Sequence, residues 1–150
     1  MRMMRGNALY ETADLVQKGV NHTVDITCVP LASNTYDVVM ANHVLEHIPD
    51  DRTAMRELLR LLKPGGLALL TVPVNSARQE TYENPAVTTP AERWAHFSAE
   101  DHVRMYGLDF ADRLREVGFE VDTFRVSPEE EVRYGLLRTE WLYVGRKPDA

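Results

Sequence analysis

Two apolar runs flank one amphipathic segment in the middle of this chain, and no other stretch restricts the fold as much. Residues 36–41 (YDVVMA) follow the turn signal Ser33-Asn34, and residues 67–74 (LALLTVPV) follow Lys63-Pro64-Gly65-Gly66. Short apolar runs without polar alternation suit strands buried on both faces of a parallel sheet. Between them, Asp50 or Asp51 caps a helix whose Ala54, Leu58, Leu61 and Leu62 share one face, and the Lys-Pro-Gly-Gly stretch stops it. The middle of the chain therefore reads strand, helix, strand.

The remaining elements extend this pattern. Residues 9–13 and 23–27 read as short strands, the second with β-branched residues around Asp25. Residues 109–117 form a helix with Phe110, Leu114 and Val117 inward and Gly118 at its C-terminal end. Residues 119–126 and 140–146 close the chain as strands, and the short 127–139 connection between them makes one of the two antiparallel. The polar, Pro-containing residues 75–90 read as a long loop. Alternating strands and helices define an α/β fold with a mostly parallel sheet. With no internal repeat, residues 1–150 are read as one domain.

Composition narrows the function classes. With 44% hydrophobic and 27% charged residues, the chain can build a core, and its formal charge of -6 argues against a nucleic-acid partner. Lys and Arg are scattered, not clustered. The single cysteine, Cys28, excludes an internal disulfide framework and a multi-cysteine zinc site and fits a reducing, cytoplasmic setting. The start, MRMMRGNALYETADL, lacks the apolar run of a signal peptide, and no stretch is long and apolar enough for a bilayer.

Residues 41–51 (ANHVLEHIPDD) place His43, Glu46 and His47 in the H-x-x-E-H spacing of inverted zinc proteases, where two histidines bind zinc and the glutamate is the general base. Such a pair needs a helix running through both histidines. Pro49 disfavours helical geometry at Ile48, so the motif is placed on a strand-to-helix connection and no metal is expected. A zinc hydrolase using these three residues stands as a remote alternative. The carboxyl end of a parallel strand is where open α/β sheets bind ligands, which favours a small molecule here.

The run YDVVMANHVLEHIPDDRTAMRELLRLLKPGGLALLTVPV resembles the fourth strand, following helix and fifth strand of the class I S-adenosylmethionine-dependent methyltransferases (the type 11-like group). FSAEDHVRMYGLDFADRLREVGFEV is similar to that family's last helix and sixth strand, and VDITCVPLASNTYDVV to its third strand and the turn before the fourth. The resemblance implies a Rossmann-like fold, S-adenosyl-L-methionine as cofactor, and methyl transfer to a small-molecule acceptor. It places Asp25 and Ile26 at the adenine, Asp14 at the ribose hydroxyls, and Asn42 and His43 beside the methionine part and the acceptor.

Methyl transfer asks for alignment and, for a hydroxyl or carboxyl acceptor, help with deprotonation. By position His43 is the first candidate for that help, with His47 and His102 behind it. Glu46 is read as a local cap or pair. Arg104 and Tyr106 are candidates for holding an anionic or ring-bearing acceptor, or for fixing a loop. Asn42 is not followed by the Pro-Pro-aromatic sequence of enzymes acting on nucleobase or glutamine amide nitrogens, which disfavours those substrates.

The resemblance also implies a first strand and a glycine-rich turn, and the sequence contains no G-x-G-x-G. The chain is therefore similar to an N-terminally truncated domain, and a non-catalytic binding or assembly partner is the alternative function. In the family's sheet the first strand lies between the second and the fourth. An unpaired edge is thus expected on strand 36–41, filled either by residues 9–13 or by a second chain in a homodimer or larger assembly.

Overall fold

A computed structural model describes residues 10–135 and 140–149. The chain begins with two very short strands, β1 (Ala13–Asp14) and β2 (His22–Thr23), paired in parallel. β3 (Tyr36–Asn42) follows, then a 3-10 turn (Leu45–His47), helix α1 (Asp51–Leu61) and β4 (Leu62–Thr71). Next come β5 (Tyr82–Glu83), α2 (Pro90–Phe97), β6 (Arg104–Met105) and α3 (Phe110–Glu116). The last three are β7 (Glu120–Arg125), α4 (Pro128–Tyr134) and β8 (Trp141–Arg146).

The main sheet has the order β3-β4-β8-β7. β3 and β4 are parallel, and β8 runs antiparallel to both neighbours, so the single reversed strand expected from the short last connection is β8. Its insertion needs a small residue at one point. A Cβ on Gly145 would sit 2.8 Å from the ring of buried Phe119, so only glycine lets β8 pass that ring without displacement.

Helix α1 starts where Asp50 accepts a hydrogen bond from the Thr53 amide, and it buries Ala54, Met55, Leu58 and Leu61. It packs beside α3, whose Phe110 and Leu114 join the same core with Ala41, Ala68, Leu70, Phe119 and Tyr143. One face of the sheet is thereby covered. The other is not covered to the same degree: Val38 and Met40 of β3 are 47% and 53% exposed, so β3 is not the doubly buried strand its composition suggests. No strand among the described residues pairs with its outer edge.

Several expected boundaries move, each for a local reason. β4 begins at Leu62, five residues before the apolar run, because Leu62 pairs with Tyr36 and the Lys-Pro-Gly-Gly stretch forms an irregularity before Leu67 pairs with Val38. The 23–27 strand shrinks to His22–Thr23, since Asp25 Oδ1 accepts from the Thr27 amide and hydroxyl and closes a turn instead. Leu9 lies outside the described residues. Residues 10–12 do not fill the edge of β3. They reach it only through the Tyr36 hydroxyl, which donates to Glu11, and β1 pairs with β2.

Two helices were not expected from the apolar pattern. Residues 75–90 hold β5 and lead into α2, and the 127–139 connection contains α4, with residues 136–139 outside the described set. Both helices start with the same device, Thr89-Pro90-Ala91-Glu92 and Ser127-Pro128-Glu129-Glu130. In each, the hydroxyl caps the third amide, the glutamate reaches back, and proline occupies the first helical position. Among the described residues no helix is long and apolar enough to cross a membrane.

Candidate functional site

The carboxyl ends of β3 and β4 open onto a cavity of about 380 Å³, lined by His43, Val72, Pro73, Val74, Asn75, Met105 and Glu140. Its polar centre is His43, which leaves β3 in a left-handed backbone conformation (φ 52°), its amide donating to the Thr71 carbonyl of β4. The His43 ring stands between two carboxylates. Nδ1 is 3.3 Å from Glu46 Oε1 and Nε2 is 3.4 Å from Glu140 Oε1.

Glu46 is 1% exposed and lies in the 3-10 turn, so the chain never continues as a helix from His43 to His47. The two histidines of the H-x-x-E-H motif instead approach one carboxylate oxygen, His47 Nε2 lying 4.0 Å from Glu46 Oε1. His47 Nδ1 is 3.4 Å from the Asp101 carbonyl, and its ring meets His102 edge-on at 4.8 Å. Of the three histidines proposed for catalysis from sequence, only His43 lines the cavity.

Arg104 and Tyr106 do not face the cavity. Arg104 is 3% exposed and its guanidinium donates to the carbonyls of Leu45, Ile48 and Pro49 and to Glu83 Oε1. Tyr106 is fully buried, its hydroxyl donating to Asp51 Oδ2 at 2.8 Å. Burial, followed by the Asp51 charge, pushes that hydroxyl far above its ordinary pKa and keeps it a donor. Arg113 completes the group, bonding Asp51 Oδ1 at 3.2 Å and Glu83 Oε1 at 2.7 Å. These side chains fix the turn that carries Glu46 and His47, so the loop-fixing role weighed for Arg104 and Tyr106 is the one their contacts describe.

Of the residues assigned to the cofactor, His43 lines the cavity and Asp14, Asp25, Ile26 and Asn42 do not. Asp14 ends β1 and Asp25 follows β2, so both stand at the same end of two parallel strands. Each carboxylate is held below its ordinary pKa: Asp14 by the amides of Val16 and Gln17, Asp25 by the hydroxyl and then the amide of Thr27. All these bonds go to Oδ1. Ile26 is half-buried against the core, and Asn42 is exposed at the end of β3.

Sequence reasoning missed Asp51, Glu83, Arg113 and Glu140. Arg113 carried a signal, since it lies three residues after Phe110 and next to Leu114, on the inward face of α3. Asp51 was hidden by its neighbour. Either aspartate could cap α1, and the structure gives the cap to Asp50 and buries Asp51.

A family model described as a methyltransferase domain matches residues 3–123. The chain belongs to the class I S-adenosylmethionine-dependent methyltransferase family. An uncharacterized methyltransferase of Mycobacterium sp. (strain KMS) is 42% identical over 48 residues, 32% of this chain and 19% of the relative. The ubiquinone/menaquinone biosynthesis C-methyltransferase of Idiomarina loihiensis is 31% identical over 81 residues, 52% of this chain and 28% of the relative. The chain thus matches well under half the length of these curated relatives.

Solved structures agree on the fold. The Burkholderia thailandensis 1,6-didemethyltoxoflavin-N1-methyltransferase, with bound 1,6-didemethyltoxoflavin and S-adenosylhomocysteine, gives a TM-score of 0.60 at 19% identity, covering 91% of this chain and 60% of that one. The S-adenosylmethionine-dependent methyltransferase of Mesorhizobium loti gives 0.59 at 13% identity, covering 90% and 78%. At such identities the likeness concerns the Rossmann-like architecture alone.

The buried network generates two tests. Arg104→Ala removes the guanidinium donors to the Ile48 and Pro49 carbonyls and one of the two arginines on Glu83, and is expected to cost about 3 kcal/mol or more in urea unfolding. Glu83 supplies the pH dependence. Burial pushes its carboxyl up, but the hydrogen bond and charge of Arg104, then Arg113, outweigh burial and hold it below its ordinary 4.5. Its stabilising contribution is therefore full above pH 4.5 and is lost as pH falls through the lower folded-state value. Urea midpoints measured between roughly pH 3 and 7 are expected to fall less steeply on the acid side in Glu83→Gln than in the wild type.

Proposed function

We propose that this methyltransferase moves a methyl group from S-adenosylmethionine to a small-molecule acceptor, with His43 taking the acceptor's proton. The observation that carries this reading is the position of His43: at the carboxyl end of a parallel strand, lining the cavity, with a carboxylate on each side. A ring so placed accepts a proton on one nitrogen while Glu46 and Glu140 compensate the charge that forms. Apolar Val72, Pro73, Val74 and Met105 on the cavity wall suit a small organic molecule.

The residues available fit the adenosine end of the cofactor. The Asp14 carboxylate suits a ribose hydroxyl, and Asp25 with the half-buried Ile26 suits an adenine edge and face. When bound, the cofactor supplies a methyl already activated by its sulfonium. The chain's own task is to align the acceptor and hold its proton at His43. In a methyl-transfer assay His43→Gln is expected to lower the rate about 100-fold or more, with the fold unchanged by circular dichroism. An unchanged rate would remove His43 from the mechanism.

The lack of any G-x-G-x-G favours a second reading, a methyltransferase-like binding or assembly partner. On that reading, adenosine and S-adenosylhomocysteine are expected to bind with similar, poor affinity in calorimetric titration. Tight binding of S-adenosylhomocysteine with indifference to adenosine would exclude the partner reading.

The same reading includes self-assembly. Among the described residues β3 pairs on one side only, and this with its exposed Val38 and Met40 supports a homodimer or larger assembly built on that strand. Light scattering is expected to report an oligomer that Val38→Lys with Met40→Lys converts to monomer. A well-folded wild-type monomer at all concentrations would overturn it.

A further inference from the structure

The Glu46 carboxylate presents a problem that its histidine neighbours do not solve. Its side chain is 1% exposed, and neither Oε1 nor Oε2 has a hydrogen-bond partner. An isolated buried carboxylate is costly unless a cation or donor compensates it. The nearest groups are imidazole nitrogens at 3.3 Å (His43 Nδ1) and 4.0 Å (His47 Nε2), neither in hydrogen-bonding geometry.

The hydrogen bonds of the neighbouring rings indicate what belongs there. His47 Nδ1 faces the carbonyl of Asp101 at 3.4 Å and its carboxylate at 3.3 Å, and His102 Nδ1 faces the Phe97 carbonyl at 3.2 Å. A nitrogen facing a carbonyl carries a proton, so the neutral form of each ring has it on Nδ1 and the lone pair on Nε2. Fixing the tautomer through an outer carbonyl or carboxylate is how metal-binding histidines are prepared. For His47 the consequence is direct. Its Nε2 lone pair and the Glu46 Oε1 lone pairs look at each other across 4.0 Å, an arrangement that a cation between them turns from repulsive to attractive.

The geometry points to a binding site for one first-row divalent cation, zinc being the probe of choice, held by Glu46, His47 and His102. One donor atom from each of these residues lies within 4.8 Å of the others. Zinc bonds of roughly 2.0–2.2 Å would draw such donors together by about 1 Å, within reach of side-chain rotation. Two imidazoles and a carboxylate favour such an ion over magnesium or calcium, which prefer all-oxygen sites.

This set is not the helical clamp that Pro49 rules out. Its third donor comes from the connection between α2 and β6, which is held against the 3-10 turn by the Val103 amide donating to the Glu46 carbonyl at 2.9 Å. His43 stays outside the donor set and keeps Glu140 as its partner. Three protein donors leave a fourth coordination position for water.

The test is direct titration of metal-free, full-length protein with zinc chloride by calorimetry, with magnesium chloride as the control. One zinc per chain is expected, with no response to magnesium. Affinity should fall at least 10-fold in Glu46→Gln and His102→Gln and persist in His43→Gln, circular dichroism confirming the fold of each. Visible absorption of the cobalt-substituted protein supplies a second readout, expected to change in His102→Gln and not in His43→Gln. Absence of saturable zinc binding, loss in His43→Gln with retention in His102→Gln, or binding indifferent to all three substitutions would each overturn the site.

Discussion

The geometry of the site depends on a single guanidinium placed where the chain would otherwise have unpaired carbonyls. After β3 the backbone leaves the sheet, makes one 3-10 turn and enters α1 past Pro49, and this irregular path leaves carbonyls short of backbone donors. Arg104 reaches into it and donates to Leu45, Ile48 and Pro49. Because Arg104 sits on β6 and also bonds Glu83 on β5, the second small sheet becomes a rigid support for the turn. A lysine, with one compact ammonium group, could not serve that many acceptors in this fan-shaped arrangement.

The same support sets the charge pattern around the histidines. Asp51, Glu83, Arg104 and Arg113 compensate one another within the buried network, so Glu46 is the acid of this region that receives no arginine. Its environment is defined by imidazoles alone. Two neighbouring buried acids on one short stretch, Glu46 and Asp51, therefore have different chemistry: one is closed off as structure and the other is left available.

Most of the sheet was legible in the sequence because its signals are local. Apolar runs gave β3 and β4, periodicity gave α1 and α3, and the short final connection gave the reversed β8. The helices α2 and α4 were also written locally, in their Ser/Thr-Pro-x-Glu starts, but their weak apolar faces hid them from a reading based on periodicity. The site was legible only in part. That His43 ends a strand follows from neighbouring residues, and the family resemblance adds its functional weight. That Arg104 and Tyr106 turn inward follows from partners more than fifty positions away, and no spacing rule reports this. Asp25 shows the opposite limit, where a side chain outcompeted strand pairing by bonding its own backbone.

The left-handed backbone at His43 narrows what evolution can place there. Glycine, asparagine, aspartate and histidine enter that region at modest cost, while β-branched and bulky apolar residues do not. Within that small alphabet only histidine carries a group whose ordinary titration falls between pH 5 and 8. A lineage that drifts away from histidine at this position keeps its fold most easily as asparagine or glycine. The identity of this one residue would then separate proton-handling members of such a lineage from those that retain only the shape.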